Sequence, residues 1–250
     1  MEQHEAALRH SRTRAMLGCA AHDRLLGARV IVFGLGGVGG HLAEALARAG
    51  VGALDLVDHD TVSYSNVNRQ TVALCSTVGQ RKVDVMAERI RDINPDCTVR
   101  LHDLFYLPEL GDTFDFSAYD YVADAIDTVS AKIDLVLRAK AAGVPIICAM
   151  GAGNKLDPTR FEVADLAKTS VCPLAKVMRT SLRRHGIEHL KVVYSKEEPI
   201  KRAPDAPTTQ TDGTEPPARA PGSVSFVPSV MGLIMAGEII KDLAHPAHDA

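Results

Sequence analysis

The sequence predicts an α/β fold: a doubly wound, mainly parallel sheet with a nucleotide loop, plus a smaller C-terminal α+β extension. Three observations carry this. Apolar strand-like runs alternate with helical segments through the first 150 residues, the pattern of βαβ units. The stretch "VIVFGLGGVGGHLAEALARAG" (Val30–Gly50) joins an apolar run to an alanine-rich helix through a glycine turn. Composition is globular, 46% hydrophobic and 24% charged.

The elements follow in order. Glu5–Leu26 reads as a helix with a weak apolar face. Arg29–Phe33 is a short apolar run before glycines, a buried strand. Val38–Ala49 is helical and closed by Gly50. Ala53–Val57 is the second strand, and the polar, aperiodic Asp58–Val78 is a long functional loop. Gly79–Ile93 is a helix stopped by Asn94-Pro95. Thr98–Leu101 and Tyr119–Ala123 read as strands, Thr128–Ala142 as a helix and Pro145–Ala149 as another buried strand. Beyond these, Arg160–Asp165 and Leu190–Tyr194 look like strands flanking a basic helix, Pro173–His185. Ser223–Val227 and Val230–Leu243 look like a last strand and helix. The implied organisation is an arm (1–28), a nucleotide-binding domain (29–158), a basic substrate-facing segment (159–202), a Pro/Thr-rich mobile linker (203–222) and a returning strand and helix (223–250).

Charge is uneven. Net charge is −3, yet Pro173–Arg202 holds eight Lys/Arg against three acids, a net +5. A basic surface in an acidic chain fits an anionic partner, or else a solvated helix face. The five cysteines are odd in number and lack C-x-x-C spacing, which argues against a disulfide framework and a structural zinc and for a reduced cytoplasmic setting. The N-terminus has no apolar core for a secretory signal. The most apolar late run, Phe226–Ile240, is shorter than the roughly 20 residues a membrane span takes.

Gly34, Gly36 and Gly39 satisfy G-x-G-x-x-G. Bare backbone there can approach a phosphate at a helix N-terminus, though a glycine turn can also serve packing alone. Gly37 and Gly40 bare more backbone than a dinucleotide needs. Asp58 ends the second strand, where a ribose-binding acid belongs in NAD and ATP sites alike. The next loop, "DHDTVSYSNVNRQ", holds Asn66, Asn68, Arg69 and Gln70, and Lys82 follows. Turned inward, Arg69 and Lys82 can cradle a triphosphate and stabilise charge at the α-phosphate; turned outward, they are a loop anchor and a solvated helix residue. Asp124 and Asp127 end the fourth strand. Asp127 is the favoured Mg²⁺ carboxylate, against the alternative that it N-caps the next helix. Cys172, before Pro173 at a helix start, is a candidate nucleophile or a small buried hydrophobe.

In this order "GLGGVG", Asp58, "SNVNRQ", "VGQRK", "INP" and "DAID" resemble the ThiF/MoeB and ubiquitin-activating superfamily over about residues 9–150. The resemblance implies adenylation of a carboxylate, with ATP held by Gly37, Asp58, Asn66, Arg69, Lys82, Asp127 and Thr128. It also implies that Arg12, with Arg14 a nearby competitor, acts as an arginine finger in the partner subunit of a homodimer. "DLAKTSVCPLAKVMR", "HLKVVYSKEEPI" and "GSVSFVPSVMGLIMAGEII" resemble one branch, the tRNA threonylcarbamoyladenosine dehydratases. That resemblance implies ATP-dependent cyclisation of threonylcarbamoyladenosine in tRNA. Arg179, Arg183, Arg184 and Lys191 are then candidate tRNA contacts, whose binding should weaken with salt. A sulfur-acceptor or cysteine-desulfurase system protein is a further candidate partner. The alternatives are adenylation of a ubiquitin-like sulfur carrier, an NAD-dependent oxidoreductase, and a non-catalytic scaffold.

Overall fold

Val30 and Val32 face one hydrophobic cluster while Ile31 and Phe33 face the other. This two-sided burial makes the apolar run β1 (Arg29–Phe33) a central strand. Six more strands join it: β2 (Ala53–Val57), β3 (Thr98–His102), β4 (Tyr121–Asp124), β5 (Ile146–Ala149), β6 (Phe161–Asp165) and β7 (Lys191–Ser195). The sheet order is β3-β2-β1-β4-β5-β7-β6. Every pairing is parallel except the antiparallel β6–β7 edge. The computed structural model describes residues 8–201, 203 and 221–245.

Helices cover both faces, as a parallel sheet requires. On one side lie α3 (Gly39–Ala49), α4 (Lys82–Ile93) and α7 (Pro228–Ala244), which bury Leu42, Leu46, Met86, Met235 and Ile239. On the other lie α5 (Val129–Ala141) and α6 (Pro173–Arg183), which bury Leu135, Val136, Met178 and Leu182. Each such side chain contributes about 1.5–3 kcal/mol relative to exposure. The expected single N-terminal helix is two, α1 (Ser11–Leu17) and α2 (Cys19–Gly27), broken where Gly18 adopts φ 85°; Glu5–Ala7 lie outside the described residues. Residues 159–202 supply β6 and β7 to the same sheet, and α7 packs against α3 in the same cluster as β1.

The strand expected at Ser223–Val227 is corrected: this segment is irregular and then a turn leading into α7. Its backbone bonds elsewhere. Ser223 O accepts from Asn68, and Ser225 O accepts from Ser229 Oγ. Most of the Pro/Thr-rich tract lies outside the described residues. No described helix is long and apolar enough to cross a membrane. All five cysteines are free.

A buried polar knot fixes the β2 side of the sheet. Asp55, 1% exposed, accepts from Arg29 Nε and Nη2 (2.9 Å each) and Tyr119 Oη (3.1 Å), with His102 Nε2 at 2.9 Å. Burial pushes the Asp55 carboxyl up, but hydrogen bonds from His102 and Arg29 outweigh it and hold the pKa at about 2. The unfolded value is about 3.9. Asp55 therefore stabilises the fold fully above that value, by on the order of 2 kcal/mol, and this is lost as pH falls through the folded pKa. Urea melts of Asp55→Asn should show the full deficit at pH 7 and roughly half of it at pH 3; an equal deficit at both would contradict the assignment.

Candidate active site

Strands β1 and β4 are neighbours, yet the chain winds away from them in opposite directions. A crevice opens at the carboxyl ends of such a pair. Directly after β1, Gly34 turns with φ 89° and donates its N–H to Val57 O at 2.8 Å. A Cβ on Gly39 would stand 1.8 Å from Gly34 O, so only glycine lets α3 begin against the turn. A cavity of about 440 Å³ occupies the crevice, walled on this side by Gly34, Gly36 and Gly37. Gly39 lies behind the turn rather than on the wall.

The loop after β2 brings the polar groups in. Asp58 Oδ2 accepts from Leu35 N (2.6 Å) and Oδ1 from Asp60 N (2.8 Å), so one carboxylate ties the glycine turn to the loop. Lys82, the first residue of α4, is 4% exposed and turned into the cavity. Its Nζ sits 2.6 Å from Asp60 Oδ2 and 4.0 Å from Asp58 Oδ1. Asn66 uses its Oδ1 to accept from Ser63 N at 3.1 Å and also lines the cavity. Arg69 differs from Lys82. Its Nη1 donates to Ser65 O and Asn68 Oδ1 (2.8 Å each), and among the described residues it has no carboxylate partner. Burial pushes its guanidinium below the usual arginine range. A partly desolvated cation without a counter-charge, beside bare backbone N–H groups, is a site for an anion.

Across the cavity, the end of β4 separates its two aspartates. Asp124 is fully buried against Lys132, Oδ2 to Nζ 2.8 Å, and Lys132 also donates to Ile126 O at 3.0 Å. Asp124 is thus a structural ion pair. Asp127 lines the cavity, and its carboxylate has no hydrogen-bond or ion-pair partner among the described residues. Thr128, also on the wall, is the N-cap residue of α5 and makes no side-chain cap bond. An open carboxylate facing an anion pocket suits Mg²⁺, which takes one or two carboxylates and completes its shell with phosphate oxygens and water. Asp58, His59 and Asp60 also cluster, but Asp58 and Asp60 are committed to the loop and Lys82.

Several wall residues went unread in the sequence. Asp60 lies inside the quoted loop, and its position in that motif is the available signal; Gln70, already noted in that loop, also lines the wall, with a buried Oε1 that has no hydrogen-bond partner among the described residues. Leu104, Phe105 and Tyr106, after β3, form an apolar end, with Phe105 edge-on to His59 at 4.5 Å. Such a surface suits a planar base. Pro221, Ser223 and Pro228 also line the cavity. These apolar and irregular positions carry no local signal.

Other expected residues lie elsewhere. Arg12 is exposed on α1, outside this cavity and without an ion-pair partner among the described residues, whereas Arg14 stands 3.3 Å from Asp23. Cys172 is 3% exposed within the hydrophobic cluster beneath α6 and does not line the cavity. Two of the candidate tRNA contacts are engaged within the chain. Arg179 Nη1 donates to Leu166 O, Thr169 O and Thr169 Oγ1 (3.2, 3.0 and 2.6 Å), anchoring the turn before α6. Lys191 pairs with Asp242 (2.8 Å) and Glu238 (3.0 Å) of α7. Arg183 and Arg184 are exposed. They end a helix that leads toward the amino end of β7, away from the cavity.

A model of the ThiF family matches residues 9–249. The tRNA threonylcarbamoyladenosine dehydratase of Bacillus subtilis (strain 168) is 47% identical over 238 residues, covering 93% of each chain. The E. coli tRNA N6-threonylcarbamoyladenosine dehydratase, TcdA, in complex with ATP superposes with a TM-score of 0.85 at 34% identity, covering 96% of each chain. Its complex with AMP gives 0.85 at 35% identity over the same shares. Sequence, sheet order and crevice thus lead to one assignment: the chain belongs to the ThiF family, among the tRNA threonylcarbamoyladenosine dehydratases.

Proposed function

We infer that this protein is an ATP-dependent tRNA threonylcarbamoyladenosine dehydratase. The observation that carries the reading is Arg69, a partly desolvated cation with no carboxylate partner among the described residues, sharing a cavity with Lys82 and the glycine turn. In this reading ATP lies with its base at Leu104–Tyr106, its ribose near Asp58 and its phosphates between the turn, Arg69 and Lys82. Asn66 and Thr128 add polar contacts, and Asp127 would hold Mg²⁺, which when bound neutralises phosphate charge. The side-chain carboxylate of the modified nucleoside attacks the α-phosphate and releases pyrophosphate. An atom of the same side chain then attacks the activated carbonyl and expels AMP, so the nucleoside has lost one water.

The chemistry explains why the site is cationic. A carboxylate is a poor electrophile because oxide does not leave; AMP does. The second nucleophile is tethered, so ring closure gains effective concentration and requires no thiol, in keeping with the burial of Cys172. The main task is to gather anions and stabilise charge developing at the α-phosphate. Incubation with ATP, Mg²⁺ and tRNA carrying threonylcarbamoyladenosine, followed by nucleoside mass spectrometry, should show the loss of one water. An unchanged nucleoside, with ATP consumed only when a ubiquitin-like sulfur carrier is supplied, would reject the reading in favour of that alternative.

We assign the reaction to the cytoplasm and Arg183 and Arg184 to backbone contacts with tRNA at a distance from the reacting base. Arg183→Glu with Arg184→Glu should make the dependence of log affinity on log salt shallower by about 1–2, leaving ATP affinity unchanged. Filter binding across a salt series checks this; an unaltered slope removes α6 from the RNA surface.

A further inference from the structure

The guanidinium of Arg69 is held from one side only. Ser65 O and Asn68 Oδ1 both take Nη1, which leaves Nη2 and Nε without acceptors among the described residues. Asn68 is itself oriented, because its Nδ2 donates to Ser223 O at 2.9 Å, a residue 155 positions away. Ser223 follows Gly222, and Gly222 is clasped by Asn154: Gly222 N donates to Asn154 Oδ1 (2.7 Å) and Asn154 N donates to Gly222 O (2.8 Å). Asn154 also accepts from Ile200 N on its main-chain O at 2.8 Å. It does this with φ 57°, a left-handed conformation that asparagine tolerates better than most side chains. The bonds form one continuous relay from the loop after β5, through the returning chain, to the cation on the cavity wall.

We propose that Asn68 and Asn154 are positioning residues that aim Arg69 at the nucleotide phosphates, the inference resting on ATP as the ligand of this cavity. Asn68 is suited to the task because its amide accepts at one end and donates at the other. Without it, Arg69 keeps Ser65 O but loses the second acceptor that fixes the plane of the guanidinium. Without the Asn154 side chain, Gly222 loses its acceptor and Ser223 its fixed position.

Calorimetric titration with ATP and with AMP tests the relay without tRNA. Asn68→Ala and Asn154→Gly, the latter keeping a residue at ease with positive φ, should each weaken ATP about threefold to tenfold. AMP affinity and the thermal midpoint should change little. Asn154→Asp, which retains the acceptor, should recover most of the loss. In an Arg69→Ala background, adding Asn68→Ala should change ATP affinity by less than about twofold, because coupled residues are not additive. Unchanged ATP affinity in both single variants, or the same fold-loss with Arg69 already removed, overturns the proposal. If wild-type protein binds ATP no better than AMP and prefers NADH, the ATP assignment itself fails, which is a distinct result.

Discussion

Lys82→Ala is expected to lower the rate of adenylation by about 10²–10³-fold while leaving the fold in place, the size of effect seen when one donor to developing charge is removed. Lys82 is nearly buried at the start of α4, and its ammonium lies within 4.0 Å of two carboxylates. A charge kept in so enclosed a place requires compensation. Asp60, at 2.6 Å, supplies it before nucleotide binds. When phosphates enter, the ammonium can move to them without crossing water, since both partners share the cavity. Removal leaves Asp60 without its counter-charge beside the phosphates, so the loss should fall on turnover as well as on ATP affinity. Single-turnover release of AMP, beside a thermal melt, measures it. A folded Lys82→Ala protein that turns over like wild type would refute the role.

Mixed dimers of Arg12→Ala and Asp127→Ala subunits should recover about half of wild-type activity, while each homodimeric variant is inactive. Arg12 stands exposed on α1, outside its own chain's cavity, without an ion-pair partner among the described residues. If it enters the partner's cavity, the Arg12→Ala subunit keeps its own Asp127 and receives Arg12 from its neighbour, making one complete site; the other site lacks both. If each site used only its own residues, neither would be complete. Differentially tagged, purified heterodimers decide between these outcomes, and absence of recovery in them counts against the trans arginine.

The centre of the fold was plain in the sequence because local and global preferences agree there. An apolar strand, glycines and an alanine-rich helix can satisfy their backbone and bury their apolar face in few ways. The loop from Asp58 to Gln70 was legible for a different reason: its polar residues lack any period that would assign them to an amphipathic face. Charge counting was a poorer guide. Arg179 and Arg183 are one helical turn apart, yet the first is spent on buried carbonyls and the second is exposed. Lys191 belonged to the same basic count and lies in an acidic notch built by α7. Ser223–Val227 misled because a short strand-like run says nothing about whether a partner strand is near. The apolar wall at Leu104–Tyr106 and the clasp at Asn154 arise from long-range closure, which no window of sequence contains.

The most direct measurement is ATP–pyrophosphate exchange in the presence of three candidate carboxylates: tRNA carrying threonylcarbamoyladenosine, the same tRNA without the modification, and a peptide ending like a ubiquitin-like carrier. Exchange stimulated by the modified tRNA alone, and lost in Arg69→Ala, is the predicted result. Exchange driven by the peptide, or exchange by modified tRNA that persists undiminished without Arg69, would contradict the account.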